Sequence, residues 1–258
     1  MNTQTPLLSA RNLAKRFGAV VAADQISIDV PRGQKLSLIG SNGAGKTTFV
    51  NMVTGYLKPD SGHIALDGED ITRLGPRQIT RKGVSRSFQI PQLALEMSAL
   101  ENMLVAMACG EPRLSFWQPA QSRQRLEQAM DLLQRFDLAD HAQRKVAELP
   151  GGVRKLLDIA MAMTGQPKLL LFDEPTSGVS VADKYPMMDT IEHALAGSNV
   201  TVVFVEHDMD IVLRYADRIA AFYSGSVIAD GPPREVLADD LVKQHVTGHA
   251  IAAGAATC

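Results

Sequence analysis

The segment GSNGAGKT, Gly40 to Thr47, follows the apolar run KLSLI and precedes TTFVNMVTG. Glycines at this spacing let successive backbone N–H groups turn toward one anion without a Cβ in the way, and a following helix N-terminus adds positive dipole. The pattern is that of a phosphate loop. Gly40, Ser41, Asn42, Gly43, Ala44 and Gly45 supply the cradle, and Lys46 reaches the β- and γ-phosphates of a nucleotide. The Thr47 hydroxyl coordinates Mg²⁺, and Thr48 completes the phosphate-binding segment.

Three further groups fit the same chemistry. LLLFDEP ends an apolar run with two carboxylates; Asp173 is placed to hold the Mg²⁺ shell and Glu174 to polarise an attacking water. VVFVEHD puts His207 at a strand end, where an imidazole can contact the γ-phosphate. Gln89, in SRSFQIPQL, offers a neutral ligand to the metal or the water. Taken singly, the carboxylates read equally well as a solvated strand end, the histidine reads more readily as a structural one, and the glutamine as nothing in particular. In ELPGGVRKLLDIA, Gly151 and Gly152 stand at the head of a helix where they can hold an anion, but Pro150 precedes them where a serine is expected.

The elements that must position these groups read as an α/β fold. KLSLIG, KLLLFDEP, VTVVFVEHD and DRIAAFYSG alternate with helical patterns such as TTFVNMVTG and DKYPMMDTIEHAL, which predicts a mainly parallel core sheet. HIALDGEDI carries an Asp67-Gly68 turn between alternating apolar positions, so an antiparallel flank is expected beside the core. Strand signals vanish from about 88 to 165, where Leu126, Met130, Leu133 and Phe136 fall at helical spacing and SALENMLVAMA adds more helix; this predicts an inserted helical subdomain. A formal net charge of −2 argues against a bulk attraction to nucleic acid. Cys109 and Cys258 are far apart and lack metal-ligand spacing, which points to free thiols in a reducing compartment. With no secretory leader and no apolar stretch of about 18 residues, the chain is expected to be cytoplasmic.

These residues, in this order, resemble the ATPase subunit of ATP-binding cassette (ABC) transporters, over roughly Leu7 to Leu241. GSNGAGKT is similar to the family's Walker A, LLLFDE to Walker B with its catalytic glutamate, Gln89 to the Q-loop and His207 to the switch histidine. Phe17, in KRFGAV, falls where the family stacks an aromatic on adenine; read by itself it is as well a core phenylalanine. LPGGVRKLLDIA resembles the signature LSGGQ and its helix. The resemblance implies ATP and Mg²⁺ as cofactors and a head-to-tail pair in which the signature of one cassette, here Pro150, Gly151 and Gly152, caps the γ-phosphate of the other. The implied domain is a single P-loop cassette over 1–241, with 242–258 a flexible tail.

Two positions depart from the family pattern. Pro150 lacks the signature serine's hydroxyl and has no backbone N–H, so one or two hydrogen bonds to phosphate are lost, each worth about 1.5 to 3 kcal/mol. In TSGVSVAD, Ser180 replaces the D-loop aspartate that reaches across the pair. Val153 also replaces a polar residue, with Arg154 and Lys155 as candidates to compensate. The chain is therefore expected to bind and hydrolyse ATP in its own loop while completing its partner's site poorly. SRSFQIPQL, LENMLVAM, PKLLLFDEP, VEHDMDIV, ADGPPREVLAD and the extra segment ACGEPRLSFWQPAQSR resemble the longer ATPase of branched-chain amino acid importers, with Trp117 read as covering local apolar surface. That resemblance implies a second cassette (hetero- or homodimer), transmembrane permease subunits, indirectly a periplasmic solute-binding protein, and a place on the cytoplasmic face of the inner membrane. The alternatives are a soluble, non-transport ABC ATPase and a regulatory cassette with a degenerate signature.

Overall fold

The computed structural model describes residues 5–110 and 122–248. In chain order the first elements are β1 (Leu8–Phe17), β2 (Val20–Val30), β3 (Lys35–Gly40), α1 (Lys46–Val53), β4 (Ser61–Leu66), β5 (Glu69–Asp70) and α2 (Pro76–Arg81). Next come β6 (Val84–Ser87), α3 (Ala99–Gly110), α4 (Arg123–Arg135), α5 (Gly151–Met163), β7 (Leu169–Asp173) and α6 (Val181–Leu195). The last are β8 (Thr201–Val205), α7 (Met209–Tyr215), β9 (Arg218–Tyr223), β10 (Ser226–Gly231), α8 (Pro233–Ala238) and α9 (Asp240–Val242). The chain divides into two compact units, residues 1–82 with 201–258 and residues 83–200.

In the first unit, β3 pairs in parallel with both β8 and β9, and β10 closes the row antiparallel to β9. Strands β3 and β8 are buried along nearly their whole length, which is why KLSLI and TVVFV read as continuous apolar runs rather than as an alternation. Helix α1 covers this sheet through Phe49, whose ring centroid lies 5.9 Å from that of Phe222. The antiparallel flank is a second sheet in the order β2-β1-β4-β5. Its β4–β5 turn is the expected Asp67-Gly68 pair, both at positive φ (55° and 79°), as a hairpin turn of two residues requires.

In the second unit, β6 and β7 pair in parallel with Val84 opposite Leu169 and Ser87 opposite Phe172. Among the described residues from 88 to 165 there is no strand beyond an isolated bridge, and α3, α4 and α5 fill the stretch. Helix α3 starts with a reciprocal cap: the Glu101 N–H donates to Ser98 Oγ and the Ser98 N–H to Glu101 Oε2. Helix α4 is capped by Ser122 and buries Ala129 and Leu133, with Phe136 buried just past its end. Most of the extra segment, Trp117 included, lies outside the described residues. Of the segment expected as a tail from residue 242, the described part is helical: Asp239 caps α9, Val242 and Thr247 are buried, and a wide helical turn continues over Lys243–Thr247. Residues 249–258 lie outside the described residues.

Candidate functional site

The phosphate loop is built by its glycines. Gly40 has φ +148°, and a Cβ there would lie 2.4 Å from the Phe222 carbonyl oxygen. Gly45 has φ +108° with Ala22 O 2.7 Å from its would-be Cβ. No other residue fits either position, since such backbone is almost confined to glycine and both approaches are to backbone atoms. Helix α1 begins immediately at Lys46, and its buried ammonium donates to the carbonyls of Gly40 (2.7 Å) and Ser41 (3.0 Å). The loop is thus wrapped around its own lysine at the N-terminus of a helix, with Thr47 and Thr48 in the first turn.

The parallel register Leu38↔Val205 puts the ends of β3 and β8 side by side, so the phosphate loop and His207 leave the sheet at the same edge. This is the carboxyl edge at which open α/β sheets bind ligands. His207 is exposed. The loop that carries it is set by Glu206, 3% exposed, whose carboxylate accepts from the His207 N–H (2.8 Å) and the Asp208 N–H (3.3 Å). Asp208 in turn caps α7. Phe17, at the end of β1, is 52% exposed and so is not a core residue. The approach of Ala22 to Gly45 brings the strand that follows it, β2, against the phosphate loop.

In the second unit, Asp173 ends β7, Glu174 follows it, and the two part company at once. The Asp173 side chain is buried and accepts from Arg86 Nη2 at 2.6 Å; that guanidinium also lies 4.9 Å from the Phe88 ring centroid. Glu174 has φ +52°, a left-handed conformation that costs a non-glycine residue about 1–2 kcal/mol. Its carboxylate accepts from Gln89 Nε2 at 2.7 Å, so the two residues assigned to metal and water chemistry touch, through the Gln89 amide nitrogen and not its carbonyl oxygen. The donors assigned to a metal are a hydroxyl (Thr47), a carboxylate (Asp173) and an amide (Gln89), all hard oxygens that suit Mg²⁺ held jointly with substrate phosphates.

The signature helix α5 starts at Gly151 with the exposed Pro150 as its cap residue. The Pro150 carbonyl accepts from the Arg154 N–H at 3.0 Å, so the proline does not stop the helix. A Cβ at Gly151 or Gly152 would meet no atom within 4 Å, so the fold of this chain gives no steric reason for either glycine. Arg154 and Lys155 are engaged inside the chain, on the carbonyls of Ala147 (2.6 Å) and Glu174 (3.0 Å). Ser180 caps α6, accepting from the Asp183 N–H. Serine therefore keeps the local capping role open to an aspartate at that position, and only the longer reach is gone.

Buried Asp158, one turn further along α5, accepts from Ser87 Oγ (2.7 Å) and the Phe88 N–H (3.1 Å), and more weakly from the Gln92 N–H (3.4 Å). Burial pushes its carboxyl above the ordinary value, opposed by these donors and by Lys155 nearby. Sequence reasoning missed Arg86, Asp158 and Glu206. Each is a charged residue inside or beside an apolar run, which is the one signal that marks them.

A glycine loop joining a buried parallel strand to a helix, with its lysine drawn into the loop, defines a P-loop nucleotide-binding protein. Residues 23–177 match the ABC transporter family model, and the chain belongs to that family. It is 36% identical over 252 residues to the high-affinity branched-chain amino acid transport ATP-binding protein BraF of Pseudomonas aeruginosa, covering 93% of this chain and 98% of the relative. It is 36% identical to the corresponding protein LivG of Escherichia coli, over 90% of this chain and 93% of the relative. Among solved structures, the ADP conformation of an ATP-binding cassette of an ABC transporter superposes with TM-score 0.82 at 35% identity, covering 93% of this chain and 98% of that one. A Clostridium perfringens cassette described as part of the ABC transporter complex cbiONQ gives TM-score 0.80 at 25% identity, over 96% of this chain and all of that one.

Proposed function

We propose that the chain is the ATP-binding and hydrolysing subunit of an importer for amino acids or related small organic solutes, with branched-chain amino acids the first candidates because the relatives are named for them. It works as one cassette over 1–241, with the helical subdomain at about 88–165. It pairs with a second cassette, of the same or a different sequence, and drives transmembrane permease subunits from the cytoplasmic face of the membrane, with a periplasmic solute-binding protein acting indirectly. What carries the reading is the Gln89–Glu174 contact in one unit and a complete phosphate loop in the other, in a chain alike over nine-tenths of its length to relatives named for branched-chain amino acid transport. No helix among the described residues is long and apolar enough to cross a membrane, which fits a peripheral subunit that relies on separate permeases.

The chemistry follows from the residues. Loop N–H groups and Lys46 hold the phosphates, Phe17 offers its ring to adenine, and Thr47, Asp173 and Gln89 hold Mg²⁺, which when bound neutralises charge developing on the phosphates. Glu174 takes the proton of the attacking water, and His207 donates to the γ-phosphate. Pro150, Gly151 and Gly152 present a helix N-terminus to the partner's nucleotide, and Pro150 and Ser180 make this chain the weaker contributor to its partner's site.

The test is uptake of labelled branched-chain amino acids by cells in which this chain is the supplied cassette. Lys46→Ala is expected to abolish ATP-driven uptake; uptake that persists at the wild-type rate removes this chain from the power source.

A further inference from the structure

Lys155 and Asp158 stand three residues apart on α5 and so lie on one side of the helix headed by Pro150-Gly151-Gly152. Each reaches a group that the proposed hydrolysis uses. Lys155 Nζ donates to the backbone carbonyl of Glu174 at 3.0 Å. Asp158, 8% exposed, accepts from Ser87 and from Phe88, the residue immediately before Gln89.

The Lys155 contact falls on a strained residue. Glu174 is held at φ +52°, a conformation that persists in an L-residue only where its surroundings over-determine it. Those surroundings are visible: the Glu174 carbonyl accepts from the Ser177 N–H at 3.2 Å as well as from Lys155, and its carboxylate accepts from Gln89. The direction of the carbonyl fixes the peptide plane after Glu174, and with φ it sets the direction in which Cβ leaves the chain, from which the side chain reaches Gln89. A charged ammonium is the stronger of the two carbonyl donors.

We propose that Lys155 is a positioning residue: its ammonium holds Glu174 in the left-handed conformation that aims the carboxylate, which ties the catalytic base to the signature helix of the same chain. Asp158 ties the start of the Gln89 loop to that helix in the same way. A displacement of α5, whose head is offered to the partner's nucleotide, is thereby carried to Glu174 and Gln89 of this chain. The inference rests on the reading of Glu174 as the base of an ATPase.

The experiment uses the assembled transporter with Lys155→Met, Lys155→Arg, Glu174→Gln and the double variant Lys155→Met/Glu174→Gln. It reads steady-state turnover, the KM for ATP and the affinity for a fluorescent ATP analogue. Lys155→Met is expected to lower kcat by about ten- to a hundredfold, the scale of a misplaced group, with KM and nucleotide affinity unchanged. Lys155→Arg restores most of the loss. In the Glu174→Gln background Lys155→Met has no further effect, because a positioning residue has nothing left to position.

Wild-type turnover in Lys155→Met, or a loss that multiplies in full with that of Glu174→Gln, overturns the inference. So does a loss confined to nucleotide affinity. If Lys155→Met does not assemble, Lys155→Gln is read by the same criteria. Failure of the underlying reading looks different: Glu174→Gln alone then leaves turnover unchanged, whatever Lys155 does.

Discussion

Alanine in place of Gly151 or Gly152 is predicted to separate stability from turnover. Both glycines lie in the first turn of α5, at φ values open to any residue, and an added Cβ meets no atom within 4 Å at either. Alanine is favoured over glycine in a helix by about 0.5–1 kcal/mol, and the first turn lies at the low end, so each substitution stabilises by roughly 0.5 kcal/mol. The pair together gives about 1 kcal/mol, a rise in Tm of about 2–4 °C for a chain of this size. Turnover moves the other way, because the methyl groups stand where a phosphate would approach the backbone N–H groups. Losing one such donor costs a hundredfold or more in sites built on this principle, so a loss of at least about tenfold is expected in the assembled complex. Urea unfolding of the isolated chain and ATPase assays of the complex read the two effects separately. Destabilisation would refute the account of the helix head. Stabilisation with unchanged turnover would refute its role in holding an anion.

Pro150→Ser returns a hydroxyl and an N–H to the helix head and should raise turnover at the partner site by roughly tenfold, the low end of one charge-assisted hydrogen bond; unchanged turnover, with each cassette's glutamate varied in turn, shows that the two glycines and the dipole suffice. Gly40→Ala forces a Cβ to 2.4 Å from a carbonyl oxygen at φ +148° and should destabilise the chain by about 3 kcal/mol or more in urea, whereas full retention of stability contradicts the loop geometry. For Asp158, whose carboxyl is raised by burial, the folded chain binds the proton more tightly than the unfolded one. Its contribution to stability is therefore full at acid pH and is lost as pH rises through the raised value. The stability of wild type relative to Asp158→Asn should fall as pH climbs from the ordinary carboxylate range upward, and a rise over that interval contradicts the assignment.

The parts of this molecule that were legible in its sequence are those whose physics is local. The phosphate loop could be read because positive-φ positions leave glycines at fixed spacing, and the strands because burial on both faces leaves unbroken apolar runs. The β4–β5 turn announced itself through Asp67-Gly68, and α4 through its apolar period. What stayed hidden is tertiary. Nothing near Arg86 says that its partner is Asp173, 87 residues away, and nothing near Lys155 points to the carbonyl of Glu174. Arg154 and Lys155 looked like spare charge for an outside phosphate; the fold gives both to carbonyls of the same chain. Residues 242–248 carry no strong local signal of helix either, yet Asp239 caps a helix there and Val242 is buried.

The central claim, that this chain hydrolyses ATP with Glu174 as the base, is tested most directly by Glu174→Gln in the assembled transporter. Nucleotide affinity and steady-state ATP turnover are measured on the same preparation. The account predicts wild-type affinity with turnover down by at least about a hundredfold, the contribution of a general base. Turnover at the wild-type rate with affinity intact would contradict it.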